Sequence, residues 1–145
     1  ENYLVRRDVP FEEVLLPAIL PFFVTRQIYA GSGRVGCHKD IFESGSGDEG
    51  EVTFQISQRA DHIVTEIYQW IQFSRAIINT RDEPLADWGL YRRLHLLVGD
   101  SNMSEYITAL KVGTAALVVE LIERDILPDI TLKDPIAALK NIARD

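Results

Sequence analysis

The sequence predicts an α+β fold, in which an antiparallel or mixed β-sheet is backed by helices. Of its 145 residues, 46% are hydrophobic, which suffices for one domain with a single core. Apolar and polar residues alternate over residues 52–59, 75–81 and 92–98, as they do in half-buried strands. Over residues 103–124, and again from Pro135 onward, the apolar residues recur at spacings of three and four, which is typical of helices. This mixture favours the α+β class.

Residues 1–5 are predicted to form a short strand, and a helical segment that cannot be straight follows it. Pro17 and Pro21 each remove an intrahelical donor and clash with the preceding turn. We therefore expect a short turn and then a kinked helix from about Ala18 to Tyr29, which Gly31-Ser32-Gly33 ends.

The middle of the chain predicts two strands joined by a loop. Residues 34–38 are a strand candidate, and the acidic, glycine-rich stretch near 40–51 predicts a flexible surface loop. The strand at 52–59 is expected to have an apolar face with Phe54 and Ile56. Its polar face is expected to carry Gln55, Ser57 and Arg59.

Three helices are predicted after this unit. Residues 60–73 have an apolar stripe at helical spacing. Asn102, with Glu105 three residues later, is expected to cap a helix from Met103 to about Arg124. The stripe of this helix that faces the core is predicted to be Met103, Ile107, Leu110, Thr114, Leu117, Val118 and Leu121. The last helix is expected to have Asp134 as its cap, Pro135 at its first position, and Ile136, Leu139 and Ile142 facing inward.

The strands at 75–81 and 92–98 carry the polar side chains that suggest a site. If the two strands pair across the loop at 82–92, four polar residues share one face of the sheet. They are Asn79, Arg81, Arg93 and His95. A cationic face with a histidine, in an otherwise acidic chain, suggests a site for an anion and a metal ion.

Charge and composition exclude several classes of protein. A net charge of −7 and a pI near 4.9 argue against a nucleic-acid-binding surface. Cys37 is the only cysteine, so an internal disulfide and a cysteine-based zinc site are excluded. The longest apolar run, residues 15–24, is too short to span a bilayer, so we expect no membrane association and a cytoplasmic protein. Because the chain begins at Glu1, within a predicted strand, we expect a fragment of a longer protein.

Eight motifs along the chain resemble those of the Pup ligase and depupylase family. They are ENYLV (1–5), FFVTRQ (22–27), SQRAD (57–61), IINTRDEP (77–84), RRLH (92–95), GDSNMSE (99–105), LKVGTAALVVELIE (110–123) and KDPIAALKNIARD (133–145). The resemblance covers residues 1–145 apart from the loop near 40–51. It implies part of a catalytic domain with a carboxylate–amine ligase fold related to glutamine synthetase, in which ATP and magnesium lie over a curved antiparallel sheet.

The resemblance also implies chemistry on Pup, a small prokaryotic protein tag. The family's ligase activates the C-terminal glutamate of Pup as an acyl phosphate and joins it to a substrate lysine. Its depupylase hydrolyses that isopeptide bond and can deamidate a C-terminal Pup glutamine. Pup, pupylated proteins and the bacterial proteasome are therefore the implied partners. FQISQRAD resembles depupylases and GDSNMSE resembles ligases, so a depupylase is favoured slightly and a ligase is the alternative.

By the same resemblance, four residues of this chain are site candidates. Arg59 of SQRAD and Arg81 of NTRDEP are the implied ATP-phosphate ligands, since a guanidinium is a fixed fork of donors that suits phosphate oxygens. His95 of RRLH is the implied magnesium-side residue, and Glu1 of ENYL is implied at the same metal site. An imidazole at magnesium is unusual and needs carboxylates beside it.

The chain also departs from the family pattern. The paired metal-binding glutamates, the catalytic aspartate and the loop that marks depupylases are missing, and we expect them to precede Glu1. Leu85 stands where the family usually has a histidine after DEP. We therefore expect part of an active site, no catalytic residue within this chain, and no activity of the fragment alone.

The residues by themselves leave simpler interpretations open. Arg81 can pair with a neighbouring acid, Arg59 can pair with Asp61, and His95 can be a hydrogen-bonded core histidine. The fragment can also be a non-catalytic Pup-binding module, or a structural piece whose exposed apolar surface makes it self-associate.

Overall fold

The structure, a computed structural model, describes residues 1–37, 52–69, 75–128 and 130–144. Its strands in chain order are β1 (Asn2–Arg6), β2 (Arg34–Cys37), β3 (Val52–Gln55), β4 (Thr65–Tyr68), β5 (Ala76–Asn79) and β6 (Tyr91–Leu96). Four of them form a sheet in the order β1-β6-β5-β4, and β2 and β3 form an antiparallel pair. In the larger sheet β6 is antiparallel to both β1 and β5, whereas β4 and β5 are parallel, so the sheet is mixed.

The helices cover one face of the larger sheet. They are α1 (Leu16–Thr25), α2 (Gln27–Ala30), α3 (Glu105–Glu123) and α4 (Pro135–Arg144), with a π-helical turn (Phe11–Leu15) before α1 and a 3-10 turn (Ala60–His62) before β4. Val5, Leu94 and Leu96 of the sheet share one buried cluster with residues of α1, α3 and α4. The helical members include Ile19, Phe23, Ala115, Val119, Ile122 and Leu139. The predicted α+β class, a mixed sheet backed by helices, is confirmed.

The predicted break in the first helical segment is also confirmed. Pro17 lies in the first turn of α1, where its missing N–H costs nothing, and Pro21 lies inside the helix. The helix ends at Thr25, and α2 begins at Gln27, so the interruption falls at Arg26. The predicted strand at the start of the chain is β1.

Two predictions for the middle of the chain are wrong. β3 ends at Gln55, and its polar residues point inward: Gln55 is 3% exposed, whereas Phe54 is 64% exposed. Ser57, just beyond the strand, is also buried because its hydroxyl donates to Asp100. Over 60–69, the described part of the helix predicted at 60–73, the chain instead forms the 3-10 turn and β4, because pairing with β5 outweighs the helical spacing of the apolar residues. The loop predicted near 40–51 lies outside the described residues.

The prediction for α3 is right in extent but wrong in its inward face. Met103 is fully exposed and Leu117 is 61% exposed, so neither belongs to the core. The buried positions of this helix are Lys111, Ala115, Val119 and Ile122. Lys111 turns inward because its Nζ donates to the carbonyl oxygen of Asp100 at 2.5 Å.

The helix termini of the C-terminal half were predicted with mixed success. Asn102 does not cap α3, since its Nδ2 donates to the carbonyl oxygen of Ala30 at 2.9 Å. Asp134 does cap α4, where its carboxylate accepts from the Ala137 amide at 2.9 Å. Among the described residues, no helix has the length and apolar character needed to cross a membrane.

Candidate functional site

Three polar residues form a row across the face of the sheet that is opposite the helices. Asn2 of β1 pairs with His95 of β6, and His95 pairs with Asn79 of β5. The neighbouring residues Leu94 and Leu96 are buried on the helix side, so alternation places the row on the other face. The predicted sharing of one face by Asn79 and His95 is therefore confirmed, and Asn2 joins them.

Arg93 adds a positive charge to this polar face. It lies two residues before His95, and its Nε donates to Asn2 Oδ1 at 2.6 Å. Its backbone amide donates to Asp82 Oδ1 at 2.9 Å, which ties the loop after β5 to β6. The Arg93 guanidinium is thus held in place beside the imidazole.

His95 is half-buried, and its buried Nδ1 has no hydrogen-bond partner among the residues that the structure describes. Burial and the positive charge of Arg93 both lower the pKa of His95 below its ordinary value of 6.5. This shift favours the neutral imidazole, which keeps a lone pair on one of its two ring nitrogens. The alternative of a fully hydrogen-bonded core histidine does not describe this arrangement.

The side chain of Arg59 contacts Leu97, the residue that follows β6. Its Nη1 donates to the carbonyl oxygen of Leu97 at 2.7 Å, and within the described part of the chain it forms no ion pair. Asp61, which could have paired with it, forms ion pairs with Arg34 and Arg144. The remaining donors of the Arg59 fork can therefore reach an anion at this edge.

Arg81 follows β5 and is exposed. Its Nε is 2.9 Å from Glu83 Oε1, with both side chains 59% exposed, and its amide donates to Asn79 Oδ1 at 2.9 Å. The simple ion pair considered from the sequence is therefore present. An exposed pair of this kind contributes little free energy, so a phosphate can displace Glu83 at small cost.

Glu1 does not join His95, because its carboxylate points to the helix side of the sheet. Its two oxygens accept from Arg26 Nη1 and Nη2 at 2.8 and 2.7 Å, and Tyr3 donates to Oε2 at 2.8 Å. Lys111 Nζ is 3.6 Å from Oε1. Burial alone would raise the pKa of the Glu1 carboxyl, but the Arg26 hydrogen bonds and charge outweigh it and lower the pKa. Its role as a metal ligand stays a prediction from the resemblance.

The described residues do not by themselves fit a magnesium ion. Magnesium prefers six oxygen ligands, and His95 offers a ring nitrogen without a carboxylate beside it. No group of three or more His, Cys, Asp or Glu that could hold a metal ion occurs among residues that the structure describes. The arginines suit the phosphates of a nucleotide, since Arg93 lies on β6, Arg81 follows β5, and Arg59 contacts Leu97 just beyond β6.

Sequence reasoning missed Asn2, although a signal was present. Asn2 alternates with Tyr3 in a predicted strand, so its side chain had to point away from that of Tyr3. What the sequence lacked was the pairing of β1 with β6, which joins residues more than ninety positions apart. That pairing alone brings Asn2 beside His95.

The family model described as "Pup-ligase protein" matches residues 1–145, the whole chain. The chain belongs to the Pup-ligase protein family. It is 48% identical to the depupylase of Acidothermus cellulolyticus and covers 27% of that protein. It is 46% identical to the Pup–protein ligase of Corynebacterium jeikeium and covers 30% of it.

Two solved structures of the Pup ligase PafA have the same fold as this chain. The structure of the Pup ligase PafA in complex with ADP is 46% identical, with a TM-score of 0.81 over 100% of this chain and 30% of PafA. A complex between Pup and PafA matches with a TM-score of 0.79, at 44% identity, over 99% of this chain and 27% of the other. The chain thus spans less than a third of the length of these relatives.

Proposed function

We propose that this chain forms one wall of the ATP site of a longer enzyme that acts on Pup. The observation that carries the proposal is the polar row of Asn2, His95 and Asn79 on the sheet face opposite the helices, here called the open face. Asn2 is exposed and His95 is half-buried on this face, whereas Asn79 is 2% exposed, and Arg59 contacts Leu97 just beyond β6. The opposite face is filled by the helices and the core. An open polar face on a rigid sheet is suited to binding a ligand, because strands fix the side chains that line it.

In this proposal the arginines bind the nucleotide phosphates. Arg59 and Arg81 supply bidentate donors that never lose their charge, and Arg93 adds to the positive potential. The neutral His95 lies beside them with its unpartnered nitrogen, on the side where the resemblance implies magnesium. Support comes from the likeness to PafA in a complex with ADP.

The bound ATP would supply the phosphoryl group that activates a carboxylate in the ligase reaction. This chain's own contribution is to bind and orient the phosphates. The carboxylates that magnesium requires, and the catalytic aspartate, belong to the remainder of the longer protein in this proposal. Magnesium, a cytoplasmic location and a link to the bacterial proteasome are proposed with it, because the relatives are named for the Pup pathway.

The proposed activity of the longer protein is depupylation and deamidation at the C-terminus of Pup, with ligation as the alternative. Both names occur among relatives of nearly equal identity, for example a Pup deamidase/depupylase of Mycolicibacterium smegmatis at 48% and a Corynebacterium efficiens ligase at 47%. Pup is the proposed macromolecular partner, which the likeness to a complex of Pup with PafA supports.

The deciding experiment gives the full-length protein ATP, magnesium and one of three substrates. The substrates are Pup ending in glutamine, a Pup–protein conjugate, and Pup ending in glutamate together with a lysine-bearing protein. Release of ammonia or of free Pup supports the depupylase, and new conjugate supports the ligase. Absence of all three products would contradict an enzyme of this pathway.

The chain alone is proposed to be inactive, since its described residues lack a carboxylate cluster for metal. Incubating the isolated 145 residues with the same substrates checks this, and turnover would contradict it. Exposed apolar residues on α3, among them Leu117 and Tyr106, support self-association of the isolated chain. Sedimentation velocity measures that tendency, and a monomer at all concentrations would contradict it.

A further inference from the structure

A buried carboxylate lies directly beneath the segment that carries Arg59. Asp100 follows Gly99 in the connection from β6 to α3 and is 5% exposed. Its Oδ2 accepts from the amides of Gln58 at 2.9 Å and Ser32 at 3.1 Å, and its Oδ1 accepts from the Ser57 hydroxyl at 3.2 Å. A buried carboxylate that accepts three hydrogen bonds fixes the groups that donate them, because losing any of them leaves charge unpartnered.

The Ser57 hydroxyl passes this constraint on to Arg59. While it donates to Asp100, its oxygen accepts from the Arg59 amide at 3.1 Å and from the Ala60 amide at 3.2 Å. These two amides begin the 3-10 turn, so the hydroxyl caps the turn. The Arg59 backbone is therefore attached to Asp100 through one side chain, and its guanidinium is attached to the Leu97 carbonyl.

Lys111 holds Asp100 from the other side. Its buried Nζ donates to the Asp100 carbonyl oxygen at 2.5 Å and lies 3.6 Å from the Glu1 carboxylate. Asp100 is thus held through its backbone carbonyl by α3 and through its carboxylate by the segments at Ser32 and Ser57. Asp100 is 5% exposed, which leaves little of it accessible to a substrate.

We infer that Asp100 is a positioning residue, which holds the segment 57–59 so that the Arg59 guanidinium stands ready for the nucleotide phosphates. This inference rests on the proposed function. The substitution Asp100→Ala frees the Ser57 hydroxyl and the Gln58 amide, and Arg59 then has to be ordered when the nucleotide binds. The affinity for nucleotide falls although no contact with the nucleotide has been removed.

The test measures the dissociation constant of a non-hydrolysable ATP analogue for the full-length protein by calorimetry. Asp100→Ala is expected to raise this constant about tenfold, the effect of losing one charge-assisted interaction. Asn102→Ala is the matched control, because Asn102 lies in the same connection but donates to Ala30 and Ser32, and not to the segment 57–59. The control is expected to leave the affinity unchanged.

The double variant Asp100→Ala with Arg59→Ala separates positioning from general destabilisation. If Asp100 acts through Arg59, its loss adds nothing once Arg59 is gone, so the two effects do not multiply. If they multiply, or if Asp100→Ala weakens binding no more than Asn102→Ala, the inference is overturned while the proposed function stands. If Arg59→Ala alone leaves the affinity unchanged, the assignment of Arg59 to the phosphates fails, and the inference fails with it.

Two milder variants keep the test valid if Asp100→Ala does not fold. Ser57→Ala removes only the hydroxyl that links Asp100 to the Arg59 amide. Asp100→Asn keeps one oxygen that accepts from the Gln58 and Ser32 amides, but an NH2 group replaces the oxygen that accepts from the Ser57 hydroxyl. Both are expected to weaken nucleotide binding, and neither effect should persist in the Arg59→Ala background. Affinity unchanged in both would overturn the inference.

Discussion

The carboxylate of Glu1 and the imidazole of His95 lie on opposite sides of the sheet, although their backbones are neighbours. The Leu96 amide donates to the Glu1 carbonyl oxygen at 2.9 Å, and the next residue, Asn2, pairs with His95. Glu1 and His95 are therefore one register position apart. The Glu1 carboxylate is held by Arg26 below the sheet, while His95 shares the upper face with Asn2. This separation divides the polar residues into a buried structural network and an open face.

The buried network predicts a large loss of stability when the Glu1 charge is removed. Glu1→Gln in the full-length protein leaves Arg26 and Lys111 buried without their counter-charge. The free energy of unfolding of this domain should fall by about 3 kcal/mol, the usual cost of breaking a buried ion pair. Calorimetric unfolding measures it, and an unchanged melting temperature would contradict a structural role.

The pH dependence of this pair has a definite sign. Because the folded-state pKa of Glu1 is below its ordinary value of 4.5, the ion pair of Glu1 with Arg26 contributes its full stabilisation to the folded state above pH 4.5. The contribution is lost as the pH falls through the folded-state pKa. The stability difference between wild type and Glu1→Gln should therefore shrink as the pH is lowered. A difference that grows toward acid pH would contradict the lowered pKa.

Gly99 and Gly113 are expected to respond to alanine in opposite directions. A Cβ at Gly99 would collide with Glu1 Oε1 and would lie 2.6 Å from Arg26 Nη2. Gly99→Ala should therefore break the ion pair and destabilise the protein by about 3 kcal/mol. At Gly113, within α3, a Cβ would meet nothing within 4 Å, so alanine should stabilise by about 0.5–1 kcal/mol. Thermal unfolding of the two variants measures these changes in stability, and equal effects of the two substitutions would contradict the prediction.

The electrostatics of the open face predict the titration of His95. In the full-length protein the pKa of His95 should lie below 6.5, because burial and Arg93 both oppose the imidazolium. Arg93→Gln removes the neighbouring charge and should raise this pKa toward its ordinary value. A histidine NMR titration, assigned with a His95→Gln variant, provides the measurement. A pKa that is unmoved by Arg93→Gln would show that the charge of Arg93 does not act on the imidazole.

The sequence was sufficient where a local pattern had a single solution. Alternation in RRLHL placed His95 and Arg93 on one face of β6, and Asp134 with Pro135 marked the start of α4. It was insufficient where a distant partner decides orientation. Lys111 of α3 is buried because the Asp100 carbonyl oxygen accepts its hydrogen bond and the Glu1 carboxylate lies 3.6 Å from its Nζ. The spacing of residues within α3 does not predict these two partners.

The site could be predicted only in part for the same reason. Asn79 and His95 could be placed together, since their strands are consecutive and antiparallel. Glu1 was assigned to their side by resemblance, and only the Arg26 ion pair shows that its carboxylate faces the helices. Gln55 and Ser57 were predicted on the polar face of a strand, but both are buried, and Asp100 accepts the hydrogen bond of the Ser57 hydroxyl.

The most direct measurement is the affinity of the full-length protein for ATP after substitution of Arg81. Arg81→Ala is compared with Arg124→Ala, since each arginine is exposed and paired with a glutamate, but Arg124 lies at the end of α3 on the helix side. A nucleotide site on the open face predicts that Arg81→Ala raises the dissociation constant about tenfold. The same site predicts no change for Arg124→Ala. Wild-type affinity in both variants, or an equal loss in both, would contradict a phosphate site beside the row of Asn2, His95 and Asn79.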